Sequence, residues 1–224
     1  MDGRGARFDQ AELAGVDCLS YDLRAVPRAE AHRDVRLLRE TISGRLDLAL
    51  APSPDLLDVA FDLRPDRLTL VPERREGGAA IGGLDAQMLR DALRKQVVHL
   101  HDADLEVAVR IEPELEQVKA LHRSEVDVAV LNAGTYLQAR GGAARRLERS
   151  RLADAAALAA RLKLRVAVAG DLDLAAVEAL AREPHVTEFH LGHAGIARAL
   201  LRGMDRAVAD FAAAIERGRR GAFA

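Results

Sequence analysis

The stretch TEFHLGHAGIARALL (Thr187–Leu201) decides the fold class, because it runs from a strand through a glycine turn into a helix. Glu188 to Leu191 are β-prone, and the apolar residues that follow the turn recur at helical spacing. Gly192 and Gly195 leave backbone amides unobstructed where the helix begins, and such amides together with the helix dipole favour an anion such as phosphate. In a parallel α/β protein this turn lies at the C-terminal end of a strand, where ligands bind.

Six more β-prone runs precede this stretch, and helical patterns separate them. The predicted strands are Val16–Tyr21, Leu46–Ala51, Arg67–Val71, Glu106–Ile111, Val126–Leu131 and Leu164–Ala169, with Glu188–Leu191 as the seventh. The other predicted helices are Arg33–Ser43, Asp55–Leu63, Asp85–His101, Pro113–Ser124, Ala144–Leu162, Leu174–Arg182 and Asp205–Arg217. Strands that alternate with helices specify parallel βαβ units.

A (βα)8 barrel has eight strands, whereas this chain offers seven, and residues 1–15 contain no good replacement. The sequence therefore predicts a TIM (βα)8-type barrel without its first strand, as one domain over residues 1–224. A doubly wound open sheet is the alternative, although no GxGxxG turn follows the first strand. A missing strand would leave two sheet edges unpaired, and we expect residues 1–14 or a second copy of the chain to cover them.

Composition narrows the class of protein. The chain has 224 residues, 49% of them hydrophobic, and a formal net charge of -2, which fits a substantial core and disfavours nucleic-acid or polybasic membrane surfaces. No apolar run approaches the ~20 residues of a membrane span. A single cysteine, Cys18, and an N-terminus without the apolar core of a signal peptide predict a cytoplasmic protein. His99 and His101 lie two apart on a helix and make a poor metal pair, so we expect no metal site.

Four motifs carry a resemblance to a known family: GVDCLSYDLR…HRDVRLLRET (Gly15–Thr41), VPERRE (Val71–Glu76), GGLD (Gly82–Asp85) and LGHAGIARAL (Leu191–Leu200). Together they resemble the pyridoxine 5′-phosphate synthase family almost without gaps from residue 15 to 215. The resemblance implies a (βα)8 barrel with added helices that is usually octameric and needs no cofactor. It also implies the condensation of 1-deoxy-D-xylulose 5-phosphate with 3-amino-2-oxopropyl phosphate to pyridoxine 5′-phosphate.

The resemblance assigns roles to individual residues. Glu73 falls on the family's catalytic glutamate, which acts as a proton acceptor during ring formation. Arg24 falls on a substrate-binding arginine, and Gly192 and His193 fall on the Gly-His pair that holds a substrate phosphate. The implied partners are a small phosphorylated substrate or product and further copies of the chain.

Several family positions are substituted. The family's first strand, with an Asn-x-Asp-His motif and a downstream arginine, has no counterpart here. Asp22 replaces the catalytic histidine that ends strand two, and Asp171 (Gly170 in an ungapped register) replaces the proton-donating histidine after strand seven. Three further replacements remove a second histidine, a hydroxyl residue and a glutamate: Ala29, Ala108 and Val130.

These substitutions bear on activity, because imidazoles exchange protons near neutral pH. A carboxylate at Asp22 or Asp171 would need its pKa raised by burial or by a like charge to do the same work. Each lost acid–base group costs ~10²–10⁴ in rate. The sequence leaves three hypotheses: a synthase with Glu73, Asp22 and Asp171 in catalytic positions; a non-catalytic homologue that binds a phosphorylated metabolite or joins an intact paralogue; or a wrongly placed start codon.

Overall fold

Seven parallel strands form one sheet and pair in the order of the chain. The computed structural model describes residues 10–24, 28–53, 56–73, 75–76, 79–80 and 82–222. All seven predicted strands are confirmed, and each begins within about two residues of its predicted start. The strands are β1 Cys18–Asp22, β2 Arg45–Leu50, β3 Arg67–Leu70, β4 Glu106–Ile111, β5 Val128–Asn132, β6 Arg165–Gly170 and β7 Glu188–Leu191.

Helices connect successive strands, as the alternating pattern predicts. They are α1 Arg28–Thr41, α2 Leu56–Leu63, α3 Arg90–His101, α4 Leu115–Arg123, α5 Gly134–Gln138, α6 Gly142–Arg161, α7 Leu174–Leu180, α8 His193–Arg202 and α9 Met204–Arg220. The five-residue helix α5 is not among the predicted ones, since five residues are too few to display helical periodicity. A two-residue antiparallel pair, Arg75–Glu76 with Ala79–Ala80, lies between β3 and α3.

The sheet curls into an open barrel whose two edges are β1 and β7. Within the described residues, β1 pairs with β2 alone and β7 with β6 alone. The strand order never reverses, so the sheet has no topological switch point and the doubly wound alternative is wrong. Glu12 accepts hydrogen bonds from the amides of Ser43 (2.9 Å) and Gly44 (2.6 Å), which fixes residues 10–13 beside the start of β2. Residues 1–9, part of the predicted edge cover, lie outside the described residues.

Side chains alternate between two sides of the sheet and build two separate cores. The outward side chains, among them Leu46, Leu48, Leu68 and Leu70, are fully buried under the helices. The inward side chains of β4, β5 and β6 form a smaller apolar cluster that lines the lumen of the barrel: Ala108, Val128, Val130, Ala167 and Ala169. These inward residues of the lumen wall are all alanine or valine.

Paired charges fill the lumen at the N-terminal end of the strands. Buried Arg67 donates to Glu188 (2.7 Å) and lies 3.4 Å from the buried carboxylate of Asp47, which also accepts from Thr69 (2.7 Å). Hydrogen bonds from His190 and Arg67 lower the pKa of Glu188 to about 2. Compensation of this kind is what a buried charge requires, so this end of the barrel is a structural plug and the C-terminal end remains for a ligand.

The helices give no sign of a membrane span. None of those in the described part of the chain combines the length and the apolar character needed to cross a bilayer.

Candidate functional site

The predicted site residues share one end of the sheet, because all seven strands run in the same direction. Each of them either ends a strand or lies in the loop that follows it. The set comprises Asp22 and Arg24 after β1, Glu73 after β3, Asp171 after β6, and Gly192 and His193 after β7. This is the face on which parallel barrels bind their ligands.

Asp22 and Arg24 form a bidentate ion pair. Arg24 Nε donates to Asp22 Oδ1 (2.9 Å) and Arg24 Nη2 donates to Asp22 Oδ2 (2.8 Å). The Arg24 amide also donates to Asp22 (2.9 Å), and Arg24 Nη1 donates to the carbonyl of Pro72 after β3. The Arg24 side chain is 12% exposed. Asp22 therefore neutralises and orients the arginine instead of standing alone as a histidine would.

At the start of α8, where the sequence predicts a phosphate-binding turn, a carboxylate of the protein already occupies one backbone amide. Helix α8 begins at His193 with Gly192 as its N-cap, and the Ala194 amide donates to the Asp171 carboxylate (3.1 Å). The next two amides, of Gly195 and Ile196, bond to the Gly192 carbonyl (3.1 and 3.3 Å). A phosphate at this helix start would compete with Asp171 for the positive end of the helix dipole.

Packing does not explain the glycine at position 192. A Cβ built on Gly192 meets no atom of the described chain within 4 Å. The side chain of His193 is exposed beside it. The turn thus keeps open space next to its amides, which is the requirement of a ligand site and not of a packed turn.

Glu73 lies three residues beyond the end of β3, and it is exposed. Its assignment as the base of the reaction stays a prediction. The neighbouring Arg74 lies outside the described residues.

Three polar residues at this end of the sheet are not among the predicted site residues: Arg110, Glu112 and Asn132. Arg110 Nη2 donates to Asn132 Oδ1 (2.8 Å), and Asn132 Nδ2 donates to Glu112 Oε1 (2.7 Å). Burial lowers the pKa of Arg110; the charge of Glu112 opposes this effect, while that of Arg24 adds to it. A signal was available, because alternation in EVAVRI places the arginine with Ala108 on the lumen side near the end of β4.

The GGLD motif fixes the end of β4. A Cβ on Gly83 would overlap the Glu112 nitrogen and the carbonyl carbon of Ile111, so the loop can approach the strand this closely only with glycine. Beside this contact, the Leu84 amide donates to the Arg110 carbonyl (2.7 Å). The motif therefore holds the strand end from which Arg110 projects.

The substituted positions on β4 and β5 point into the lumen. Ala108 and Val130, where the resemblance places a hydroxyl residue and a glutamate, belong to the apolar cluster of the lumen wall. In the part of the chain that is described, no group of three or more histidine, cysteine, aspartate or glutamate residues could hold a metal ion. The polar groups of the site therefore lie at its mouth and the apolar groups deeper inside.

Comparison with known proteins identifies the family. The family model "Pyridoxal phosphate biosynthesis protein PdxJ" matches residues 6–217. The chain belongs to this family. It is 38% identical over 219 residues to the pyridoxine 5′-phosphate synthase of Desulforapulum autotrophicum, covering 95% of this chain and 92% of the relative. It is also 38% identical to that of Thermosynechococcus vestitus over 205 residues, covering 92% and 86%.

Solved structures at low identity confirm the barrel fold. The 3-hexulose-6-phosphate synthase of Salmonella typhimurium superposes with a TM-score of 0.66 at 16% identity and covers 95% of this chain and 92% of that one. The 3-keto-L-gulonate-6-phosphate decarboxylase of Vibrio cholerae gives 0.63 at 13% identity and covers 90% and 86%. The TIM-barrel prediction is thus confirmed, with the open edge described above.

Proposed function

We propose that this chain acts at the pyridoxine 5′-phosphate synthase step of vitamin B6 biosynthesis and binds the phosphorylated substrates or product at the C-terminal end of the sheet. The observation that carries the proposal is the 38% identity to a synthase over 95% of this chain. The arrangement of Arg24 supports it, because a half-buried guanidinium at the mouth of a barrel suits a phosphorylated ligand. The open space beside Gly192 supports it as well.

We expect binding to be retained better than catalysis. Asp22 is held by Arg24, and Asp171 by the Ala194 amide, so neither carboxylate is placed as a free proton carrier in the way of an imidazole. Ala108 and Val130 offer no proton-transfer group in the lumen. With ~10²–10⁴ lost for each acid–base group, the condensation rate should fall by at least ~10² relative to a synthase that keeps its histidines.

A paired assay tests this proposal. The purified protein and the Desulforapulum autotrophicum relative would be given 1-deoxy-D-xylulose 5-phosphate and 3-amino-2-oxopropyl phosphate, and product formation would be followed by chromatography. Calorimetry with pyridoxine 5′-phosphate would measure binding by each protein. Measurable binding with a rate at least ~10² lower than that of the relative supports the proposal. If the protein shows no binding and no turnover, the proposal is refuted. A rate equal to that of the relative would show that the carboxylates replace the imidazoles.

A second proposal concerns association. We propose that copies of the chain associate beside the open edge, because α8 buries none of its side chains and exposes an apolar group there: Ile196 (46%), Leu200 (73%) and Leu201 (87%). Light scattering should find an oligomer, and Leu200→Glu with Leu201→Glu should dissociate it, whereas the exposed pair Met88→Glu and Leu115→Glu should not. A wild-type monomer would refute this proposal.

A further inference from the structure

Arg110 carries a charge for which the described part of the chain provides no ion pair. Its Nη2 bonds to the neutral amide of Asn132, its Nε is buried without a hydrogen-bond partner, and no carboxylate oxygen of a described side chain lies within 4.0 Å of the guanidinium. Glu112, whose charge acts on Arg110, is bonded to Asn132 instead. The guanidinium therefore keeps its full positive charge with part of its donor set unused.

Arg67 and Arg24 differ from Arg110 in their carboxylate partners, although Arg67 Nε, like Arg110 Nε, is buried without a hydrogen-bond partner among the described residues. Arg67 has carboxylates of Asp47, Glu188 and Glu106 within 4.0 Å, and Arg24 is neutralised by Asp22. Removing a guanidinium from water without compensation is unfavourable, so the placement of Arg110 lowers the stability of the empty protein. Because Arg110 does not stabilise the ligand-free fold, its placement points to a role in binding.

The surroundings of Arg110 indicate the kind of ligand. The residue lies at the C-terminal end of β4, the end at which parallel barrels bind ligands, next to a lumen wall of small apolar residues. The ion pair of Arg24 with Asp22 lies at the same end of the sheet, and its two charges act on Arg110 in opposite directions. A planar guanidinium with unused N–H groups matches two oxygens of a phosphate or carboxylate.

We propose that Arg110 is a ligand-binding residue of this chain and that its guanidinium takes an oxyanion of the bound molecule, namely the phosphate group. The identity of that molecule rests on the function proposed above, whereas the anion-binding role of Arg110 does not. On this view a phosphate group binds at the β4 side of the mouth as well as at the start of α8, where Asp171 competes for the Ala194 amide.

Substitution of Arg110 gives opposite effects on stability and on binding. Arg110→Met keeps the length of the side chain and removes its charge, so the ligand-free protein should melt about 2–4 °C higher. Calorimetry with inorganic phosphate and with pyridoxine 5′-phosphate should show binding weakened by about 10- to 100-fold. Arg110→Lys should retain part of the affinity. The control is Arg94→Gln. Arg94 lies on α3, is exposed and pairs with Glu125, so this variant should change neither the melting temperature nor the affinity for the two anions.

The outcomes separate this inference from the proposed function. Wild type that binds both anions while Arg110→Met binds them equally well overturns the role of Arg110 and leaves the function standing. Phosphate binding that depends on Arg110, without binding or turnover of the B6 intermediates, supports Arg110 and refutes the function. A lower melting temperature for ligand-free Arg110→Met would show that the arginine is structural and would overturn the inference, as would wild type that binds neither anion.

Discussion

The two ends of the barrel lumen treat charge in opposite ways. At the N-terminal end, Arg67 has three carboxylates within 4.0 Å, and the buried Asp47 is bonded to Thr69 as well. At the C-terminal end, no carboxylate of the described residues lies within 4.0 Å of the Arg110 guanidinium, which bonds to the neutral amide of Asn132, and Asp171 lies at an exposed helix start. Both ends are built from charged residues on the same parallel strands, so composition alone cannot tell a structural end from a binding end. The degree to which nearby opposite charges compensate each charged residue distinguishes the two ends.

Breaking the compensated end should give the largest effect. Arg67→Met leaves the fully buried Asp47 carboxylate without its cation, which should lower the free energy of unfolding by about 3–5 kcal/mol in urea titrations. The double variant Arg67→Met with Asp47→Leu should recover most of that loss, since two apolar residues replace the pair. If the single variant is as stable as wild type, the N-terminal network is not the structural plug described here.

Low pH should weaken the N-terminal network and so lower the free energy of unfolding. The pKa of Glu188 is lowered to about 2 in the folded protein, so its contribution is complete above its unfolded value of 4.5 and is lost as the pH falls from 4.5 towards 2. Unfolding measured across that window should show a loss of about 2 kcal/mol in wild type that Glu188→Gln lacks. Glu125→Gln, at an exposed position, serves as the control and should follow wild type.

Substitution of two glycines at the C-terminal end distinguishes a glycine required for packing from a glycine beside open space. Gly83→Ala would force a Cβ against the backbone of Ile111 and Glu112, and should lower the free energy of unfolding by about 1–3 kcal/mol. The new Cβ of Gly192→Ala meets no atom of the described chain within 4 Å, so this variant should destabilise the protein less than Gly83→Ala while weakening the binding of pyridoxine 5′-phosphate. Equal destabilisation by the two variants would contradict the distinction between them.

The smallest effect is expected at Asp171. Asp171→Asn removes the negative charge bonded to the Ala194 amide, so inorganic phosphate should bind about 2- to 5-fold more tightly at low ionic strength. The gain should vanish in 1 M salt, where the Debye length is about 3 Å. Asp173→Asn is the matched control, because Asp173 caps the neighbouring helix α7 through the Ala176 amide (2.7 Å) and should not affect phosphate. Tighter binding by both variants would indicate a general change in surface charge.

Sequence reasoning recovered the strands well and the site only in part. Buried parallel strands are continuous apolar runs, which is why all seven were found, whereas a five-residue helix such as Gly134–Gln138 leaves no period to detect. The turn at Gly192 was found through its glycines. The bond between Asp171 and the Ala194 amide was not foreseen, because it joins residues from two different strand ends that only the curl of the sheet brings together.

By itself, the sequence determined the class of fold, the family and the absence of histidines at the expected catalytic positions, since these depend on local periodicity and on residue identity. Only the tertiary structure decided what the charged residues do. Nothing in the sequence distinguishes Asp47 from Arg110, yet Asp47 is buried in a network, whereas Arg110 has no ion pair with any described residue at the mouth of the barrel. Electrostatic energy depends on distance and burial, and the curl of the sheet sets both.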